Sequence, residues 1–246
     1  MSTERSIPVV MKEINARLEL LESNLPRPVD ATTISQMSKL PVKALLYREA
    51  LIWRVVELAR AAYENFAADK LVAGIVVTRA VVETSAALWY LCGKVAAAVD
   101  SDAVGNIDDY LMKMYVGVAT GNTGKDSVPT TDQLPRPIRV GSFLRHVEKD
   151  IEGFSYQYGI LSEYAHPNWA GTVLLYSKTD TETGITDFGQ HLRKAESTKQ
   201  LGVLNLSVAL AMFERSYNRI SDTLPAFVAL CERTLTEKTE GKSAGA

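Results

Sequence analysis

The stretch 74–91, GIVVTRAVVETSAALWYL, decides the fold. Apolar residues lie on nearly every side of a helix drawn through it, and such a helix is buried. We therefore expect a long helix, from about residue 70 to residue 99, at the centre of a helical bundle. The segment is long enough to span a bilayer, but Arg79 and Glu83 lie near its middle, where charges are costly in lipid. A core helix of a soluble protein is the better interpretation.

Helical periodicity also dominates the flanking sequence. Apolar residues recur at helical spacing near the N-terminus, and Pro41 is placed to open a second long helix. In contrast, GTVLLYSKTDTETGITDFG (171–189) is rich in Thr, Val and Ile around a turn signal, which predicts a small β-hairpin. The sequence thus predicts an all-α, helical-bundle fold with a hairpin insertion around residues 171–189. We expect one domain over residues 1–240, with a flexible loop at 119–138 and a disordered tail at 241–246.

Composition restricts the classes of function. The 246 residues carry a formal net charge of −2, so a nucleic acid or another polyanion would need a local basic patch. Cys92 and Cys231 are the two cysteines and form no CxxC pair, which favours a reducing compartment. The N-terminus lacks the basic-then-apolar order of a signal peptide. We predict a cytoplasmic protein with no membrane partner.

The first candidate site is the polar pair inside the central helix. Arg79 and Glu83 are four residues apart, and Tyr90 falls on the same face. A charge buried by the surrounding apolar residues must be paired. Two interpretations stay open: a structural ion pair that fixes helix packing, or an arginine that holds an anionic group while Glu83 orients it.

The second candidate site is the stretch 158–171, YGILSEYAHPNWAG. Ser162, Glu163 and His166 lie opposite the apolar arc of an amphipathic helix, and a solvated face is the simplest explanation for the first two. Pro167 disfavours helical geometry at His166, so the helix should end at Ala165 or at His166 itself. A histidine there can cap the last carbonyls, or it can exchange a proton at the edge of a pocket.

The sequence lacks the motifs of several common metal, nucleotide and nucleophile sites. The sequence contains no HExxH motif, no Cys/His cluster, no P-loop, no GxGxxG after a strand and no GxSxG elbow. Ser162 is a poor nucleophile, since a hydroxyl in mid-helix can bond back to the preceding turn. We predict no metal site and no cofactor.

Two motifs carry a resemblance. An Arg-x-x-x-Glu helix (Arg79, Glu83) followed by Tyr-x-x-Leu-Ser-Glu-x-x-His-Pro-Asn (158–168) resembles a set of bacterial helical proteins of unassigned function. More distantly, a bundle with a late histidine-bearing helix looks like the HEPN superfamily, many members of which are metal-independent RNases of toxin–antitoxin and phage-defence systems. Their Arg and His lie four to six residues apart on one helix. Here the residues four to six positions before His166 are Ser162, Leu161 and Ile160, so Arg79 would have to supply the guanidinium from another helix.

Three hypotheses follow. In an HEPN-like ribonuclease, His166 would be the general acid or base, Arg79 would stabilise the phosphate and Glu83 would orient Arg79. The alternative is a non-catalytic module that binds a small anionic ligand or a partner protein, and the third is a purely structural role for both motifs. We expect RNA or a small anion as ligand, an antitoxin-like protein as partner, and a homo-oligomer. The residues assigned to binding are Tyr158, Ser162, Glu163, Asn168 and Tyr90.

Overall fold

The computed structural model of the chain describes residues 6–117, 135–190, 192 and 195–243, with side chains as far as residue 240. Most of the predicted loop, from 119 to 134, lies outside this described part. Of the predicted tail, residues 244–246 also lie outside it, whereas residues 241–243 continue the last helix.

The described chain is mainly helical, as the sequence predicts. Eight α-helices, one 3₁₀ turn and a two-stranded sheet are formed among the described residues. In chain order they are α1 (Ile7–Ser23), the 3₁₀ turn (Ala31–Thr33), α2 (Lys39–Ala67), α3 (Leu71–Asp100), α4 (Ile107–Tyr115), α5 (Val140–Glu148), α6 (Phe154–Ala165), α7 (Val173–Tyr176), β1 (Ser177–Thr179), β2 (Thr186–Phe188) and α8 (Ala195–Ser243).

The apolar periodicity explains the first and third helices. The residues of α1 at helical spacing (Val10, Ile14, Leu18 and Leu21) are its buried positions. Helix α3 is long and apolar enough to cross a membrane by length and composition. However, 61% of its most apolar 18-residue window is buried inside the fold, as expected for the core helix of a soluble protein.

The predicted hairpin is present, but it is shorter than the interval 171–189. Its strands pair antiparallel, with Ser177 opposite Phe188 and Thr179 opposite Thr186. The turn begins at Asp180 and ends at Gly184, whose φ of +71° favours glycine. Residues 173–176, which the composition assigned to the hairpin, form the single helical turn α7 instead.

The chain divides into two compact units, each built from three segments. Unit 1 comprises Met1–Leu25, Ile52–Ala86 and Leu144–Phe213; unit 2 comprises Pro26–Leu51, Ala87–Phe143 and Glu214–Ala246. Helices α2, α3 and α8 have residues in both units. The single domain predicted from the sequence stays a prediction.

The core of unit 1 contains an aromatic ring packed between two glycines. Phe66 of α2 is fully buried, and Gly74 of α3 and Gly202 of α8 both lie against its ring. A Cβ built on Gly202 would stand 2.3 Å from Phe66 Cζ, and one on Gly74 would stand 2.5 Å from Phe66 Cε1. Because carbon atoms prefer about 3.5–4.0 Å, only glycine permits this approach.

The interior of unit 2 contains a polar network. Arg48 and Glu49 are each 8% exposed, and Arg48 Nε donates to Glu49 Oε1 at 2.7 Å. The Arg48 Nη1 group donates to Ser221 Oγ, Nη2 to Glu49 Oε1, and the Tyr217 hydroxyl donates to Glu49 Oε2. The guanidinium also lies over the Tyr217 ring, 4.2 Å from its centroid. Each Arg48 nitrogen therefore has a partner, as a buried charge requires.

Candidate functional site

Arg79 and Glu83 form the predicted pair, and Tyr158 of α6 completes it within unit 1. Arg79 Nε donates to the Tyr158 hydroxyl at 2.9 Å, and that hydroxyl donates to Glu83 Oε1 at 2.5 Å. Arg79 Nε also lies 3.3 Å from Glu83 Oε1, and the guanidinium carbon is 5.1 Å from the centroid of the Tyr158 ring. One hydroxyl thus connects the cation and the carboxylate, and the ring supports the guanidinium through a cation–π contact.

The side chains of this triad are partly exposed, which differs from the expectation of a buried pair. The side chains of Arg79 and Glu83 are 30% and 28% exposed. The apolar positions of α3 do not enclose it completely, because Val76, three residues before Arg79, is itself 43% exposed. The pair therefore lies at the edge of the core, where water or a ligand can reach it.

The Nη groups of Arg79 are the open part of the triad. Neither of them donates a hydrogen bond to any residue that the structure describes; the protein bond is made by Nε. The two Nη groups of a guanidinium lie in one plane and can donate in parallel to two oxygens of one carboxylate or phosphate. Arg79 is consequently held from one side and free to bind an anion from the other.

The hydroxyl that holds Arg79 stays protonated over a wide range of pH. Burial and, next, the hydrogen bond to Glu83 raise the pKa of Tyr158, while the Arg79 guanidinium opposes them. A protonated hydroxyl can donate to Glu83 and accept from Arg79 simultaneously. The orientation of Arg79 is therefore independent of pH near neutrality.

Helix α6 is placed by a cap at its N-terminus. The carboxylate of Glu148 accepts from Gly153 N at 2.8 Å and from Ser155 N at 2.6 Å. These backbone donors hold the pKa of Glu148 below its usual range. Gly153 adopts φ +80°, a conformation that favours glycine, and α6 starts at the next residue. This junction fixes where Tyr158 meets α3.

The other end of α6 confirms the reasoning from Pro167. The helix ends at Ala165, and His166 adopts extended geometry with ψ 150° while its N–H donates to Ser162 O at 3.0 Å. Its imidazole is exposed and has no hydrogen bond to a described residue. Because each residue of an α-helix advances by about 1.5 Å, His166 lies about 12 Å along the axis from Tyr158.

The remaining predicted residues of this stretch hold the backbone together. Ser162 Oγ donates to Tyr158 O at 3.0 Å, the bond to the preceding turn that argued against a nucleophile. Asn168 Nδ2 donates to Glu163 Oε2 at 2.5 Å, and Asn168 Oδ1 accepts from Gly171 N at 3.1 Å. These contacts stabilise the turn after α6. The side chains of Ser162 and Asn168 are therefore already hydrogen-bonded within the protein.

Tyr90 has a different environment from the triad. It belongs to unit 2, is 8% exposed, and packs edge-to-face against Tyr110 and Phe143. Burial raises its pKa. The helical wheel that grouped Tyr90 with Arg79 is correct about the face of α3, but the packing partners of that face change along a helix of 30 residues.

A second arginine, which no sequence pattern signals, contacts α3 at the residue after Glu83. Arg54 of α2 is exposed, and its Nε donates to Thr84 Oγ1 at 3.2 Å, while Thr84 Oγ1 donates to Ala80 O at 2.7 Å. On the sequence, Arg54 is one polar position of an amphipathic helix. Its proximity to Thr84, the residue after Glu83, comes from the packing of α2 against α3.

Comparisons with protein-family models, with curated proteins and with solved structures find no match for this chain. Within the described residues, no three His, Cys, Asp or Glu side chains gather as metal ligands.

Proposed function

We propose that the protein binds an anionic oxyacid group of its ligand through Arg79. The observation that carries the proposal is the pair of unpartnered Nη groups on a guanidinium that Tyr158 and Glu83 hold in place. Preorganisation of this kind favours binding, since the side-chain entropy is lost on folding and not on association.

The buried network of unit 2 is the internal comparison. Arg48, Glu49 and Tyr217 repeat the same chemistry: the arginine pairs with the glutamate, the tyrosine hydroxyl donates to that glutamate, and the guanidinium lies over the ring. There both Nη groups are engaged and the arginine is 8% exposed. A structural triad in this fold is thus buried and complete, whereas the Arg79 triad is open.

The neighbouring carboxylate restricts the charge of the ligand. Glu83 lies 3.3 Å from Arg79 Nε, so the pair is neutral together. A dianion would experience the repulsion of Glu83 more strongly than a monoanion does. We therefore favour a carboxylate or a phosphodiester over a phosphomonoester.

The test is an NMR titration of the arginine Nε–Hε resonances with dimethyl phosphate and with acetate. We expect a saturable shift at Arg79 in the wild type, none at Arg48, and loss of binding in Arg79→Gln. Arg79→Lys keeps the charge but loses the two parallel Nη donors, the guanidinium fork, so binding should weaken by about tenfold. Arg233→Gln changes the net charge identically at an exposed arginine paired with Asp102, and serves as the matched control. An Arg79 resonance that does not respond to either anion would refute the proposal.

A second candidate function, a metal-independent ribonuclease, is favoured by the exposed imidazole of His166. His166 lies about 12 Å along α6 from Tyr158, so it would act on a different phosphate from the one at Arg79. We propose for this case an RNA substrate, an antitoxin-like protein partner and a second copy of the chain. Cleavage of a mixed RNA pool with a chelator present, lost in folded His166→Ala, would support it. Cleavage unchanged in that variant would eliminate His166 as the acid or base.

A cytoplasmic location belongs to the same proposal. It is supported by Cys92 and Cys231, both of which are free and buried. Burial raises the pKa of both thiols, that of Cys231 to about 11, which makes them poor nucleophiles for disulfide exchange. Fractionation of cells that express the tagged protein would test this location.

A further inference from the structure

We infer that Arg54 is a second anion contact, so that the ligand carries two linked monoanionic groups, of which one binds Arg79 and the other Arg54. The inference rests on the proposed function at Arg79 and specifies its ligand class. Both arginines belong to unit 1.

The two arginines lie on either side of an exposed strip of α3. Arg79 and Thr84 are five residues apart, hence about 140° apart around the helix and about 7.5 Å along it. On the wheel, Val76, Ala80 and Glu83 fall between them. Val76 is 43% exposed and Ala80 is half-buried, so no element of the described structure covers this strip completely.

Arg54 is also held through Nε, although its partner among the described residues is a single hydroxyl without a carboxylate or a ring. Its Nε donates to Thr84 Oγ1, and that hydroxyl is fixed in turn by its own bond to Ala80 O. The Arg54 side chain is exposed, and its Nη groups make no hydrogen bond to a described residue. On each side of the strip, therefore, a guanidinium is anchored through Nε and leaves its fork open.

Charge and shape point to phosphodiester groups. The strip is apolar at Val76 and Ala80, and Glu83, which is bonded to Tyr158, occupies its Arg79 edge. The apolar part leaves room for a chain to lie along α3 between the two arginines. The two arginines have two carboxylates near them, Glu83 and the exposed Glu57, which lies one turn after Arg54. The net charge of these four side chains is zero. A neutral surface with two open forks suits separated monoanions better than a compact dianion. Two linked phosphodiesters have this charge pattern, in a single-stranded nucleic acid or in a cyclic dinucleotide.

The salt dependence of binding reports how many phosphates the protein neutralises. For a single strand, log K falls with log salt by about 0.7 per neutralised phosphate, so two contacts give a slope of about −1.4. Between about 50 and 200 mM KCl the wild type should lose about sevenfold in affinity, and a variant with one contact about threefold. The probe is a labelled 2′-O-methyl RNA of about eight nucleotides. It has no 2′-hydroxyl to attack its phosphodiester bonds, and its length is within the usual site sizes of proteins that bind single strands.

We expect Arg54→Gln and Arg79→Gln each to halve the slope, and Arg233→Gln to leave it unchanged. Arg54→Lys, which retains the charge, should restore the slope and shows that a loss in Arg54→Gln is not a folding defect. Competition by a cyclic dinucleotide then distinguishes the two sources. If the labelled strand alone binds, the ligand is nucleic acid; if the cyclic dinucleotide alone binds, with the same dependence on both arginines, it is the small molecule.

The two proposals fail in different ways. If the slope is halved in Arg79→Gln but unchanged in Arg54→Gln, the second contact is overturned and Arg79 remains an anion site. Absence of binding by the wild type to either probe also overturns the second contact, and the titration with dimethyl phosphate then decides the Arg79 site independently.

Discussion

Replacing Gly202 by alanine should destabilise the protein, although the same change in an ordinary helix is favourable. In a helix interior, alanine is about 1 kcal/mol better than glycine. Here the new Cβ would lie 2.3 Å from Phe66 Cζ, 2.6 Å from Cε1 and 3.3 Å from Ile75 Cγ1. Phe66 is fully buried, so its ring has no solvent to move into.

The magnitude follows from the two opposing terms. Overpacking of a dense core costs about 1–3 kcal/mol, and a contact more than 1 Å inside the optimum belongs at the upper end. After subtraction of the propensity gain, we expect a net loss of about 1–2 kcal/mol. For a chain of this size, that lowers the Tm by about 2–8 °C in a thermal melt followed by circular dichroism.

Gly159 provides a control of opposite sign. It lies inside α6, and a Cβ there would meet nothing within 4 Å. Gly159→Ala should therefore keep the propensity gain and stabilise the protein by about 0.5–1 kcal/mol. The two alanine variants thus share their chemistry and differ in what surrounds the added methyl group.

A double-mutant cycle assigns the loss to the ring. Phe66→Leu removes the contacting atoms, so Gly202→Ala should cost less in that background, with a coupling energy of about 0.5–3 kcal/mol. A Tm for Gly202→Ala at or above that of the wild type would show that the ring is not confined, and would refute the proposed packing.

Two further predictions concern the turn after α6 and the buried network. Gly171→Ala would place a Cβ 2.2 Å from His166 O and 2.7 Å from Tyr164 O, so we expect a loss of about 1–3 kcal/mol in denaturant titrations; wild-type stability would contradict the tight turn. The pKa of Tyr217 is raised to about 12 by burial and by its bond to Glu49. Its contribution to stability is therefore complete below pH 10 and is lost as the pH rises towards 12. The decline of stability between pH 10 and 12 should be smaller in Tyr217→Phe, and an identical decline would exclude this hydroxyl as its source.

The helices were predictable because their signals are local. The apolar positions of α1 recur every three or four residues, and the ring of Pro167 excludes helical geometry at the residue before it. Both effects act within one turn of the chain. The helical turn at Val173–Tyr176 was missed because the stretch 171–189 as a whole is rich in Thr, Val and Ile, which favour a strand. Packing of Leu174 and Leu175 into the core overrides that preference.

The candidate site was predictable only in part. The pairing of Arg79 with Glu83 follows from their spacing on one helix, and Tyr158 was assigned to binding separately. That Tyr158 joins the pair depends on how α6 packs against α3, which no local pattern encodes. Arg54 illustrates the same limit, because its position next to Thr84 is a property of the packing of two helices.

The two tyrosine–glutamate–arginine triads show why residue identity alone does not distinguish structure from function. Both use the same three residue types, in both the tyrosine hydroxyl donates to the glutamate, and the sequence signals neither as a triad. They differ in whether the Nη groups of the arginine have partners. At Arg48 a serine hydroxyl and the glutamate take the Nη groups inside the core, where an unpaired donor would be costly. At Arg79 partial exposure removes that cost, so the fold can leave two donors open. Arg79 is immobilised through Nε and through the Tyr158 ring, and its open Nη groups are what a ligand would recognise.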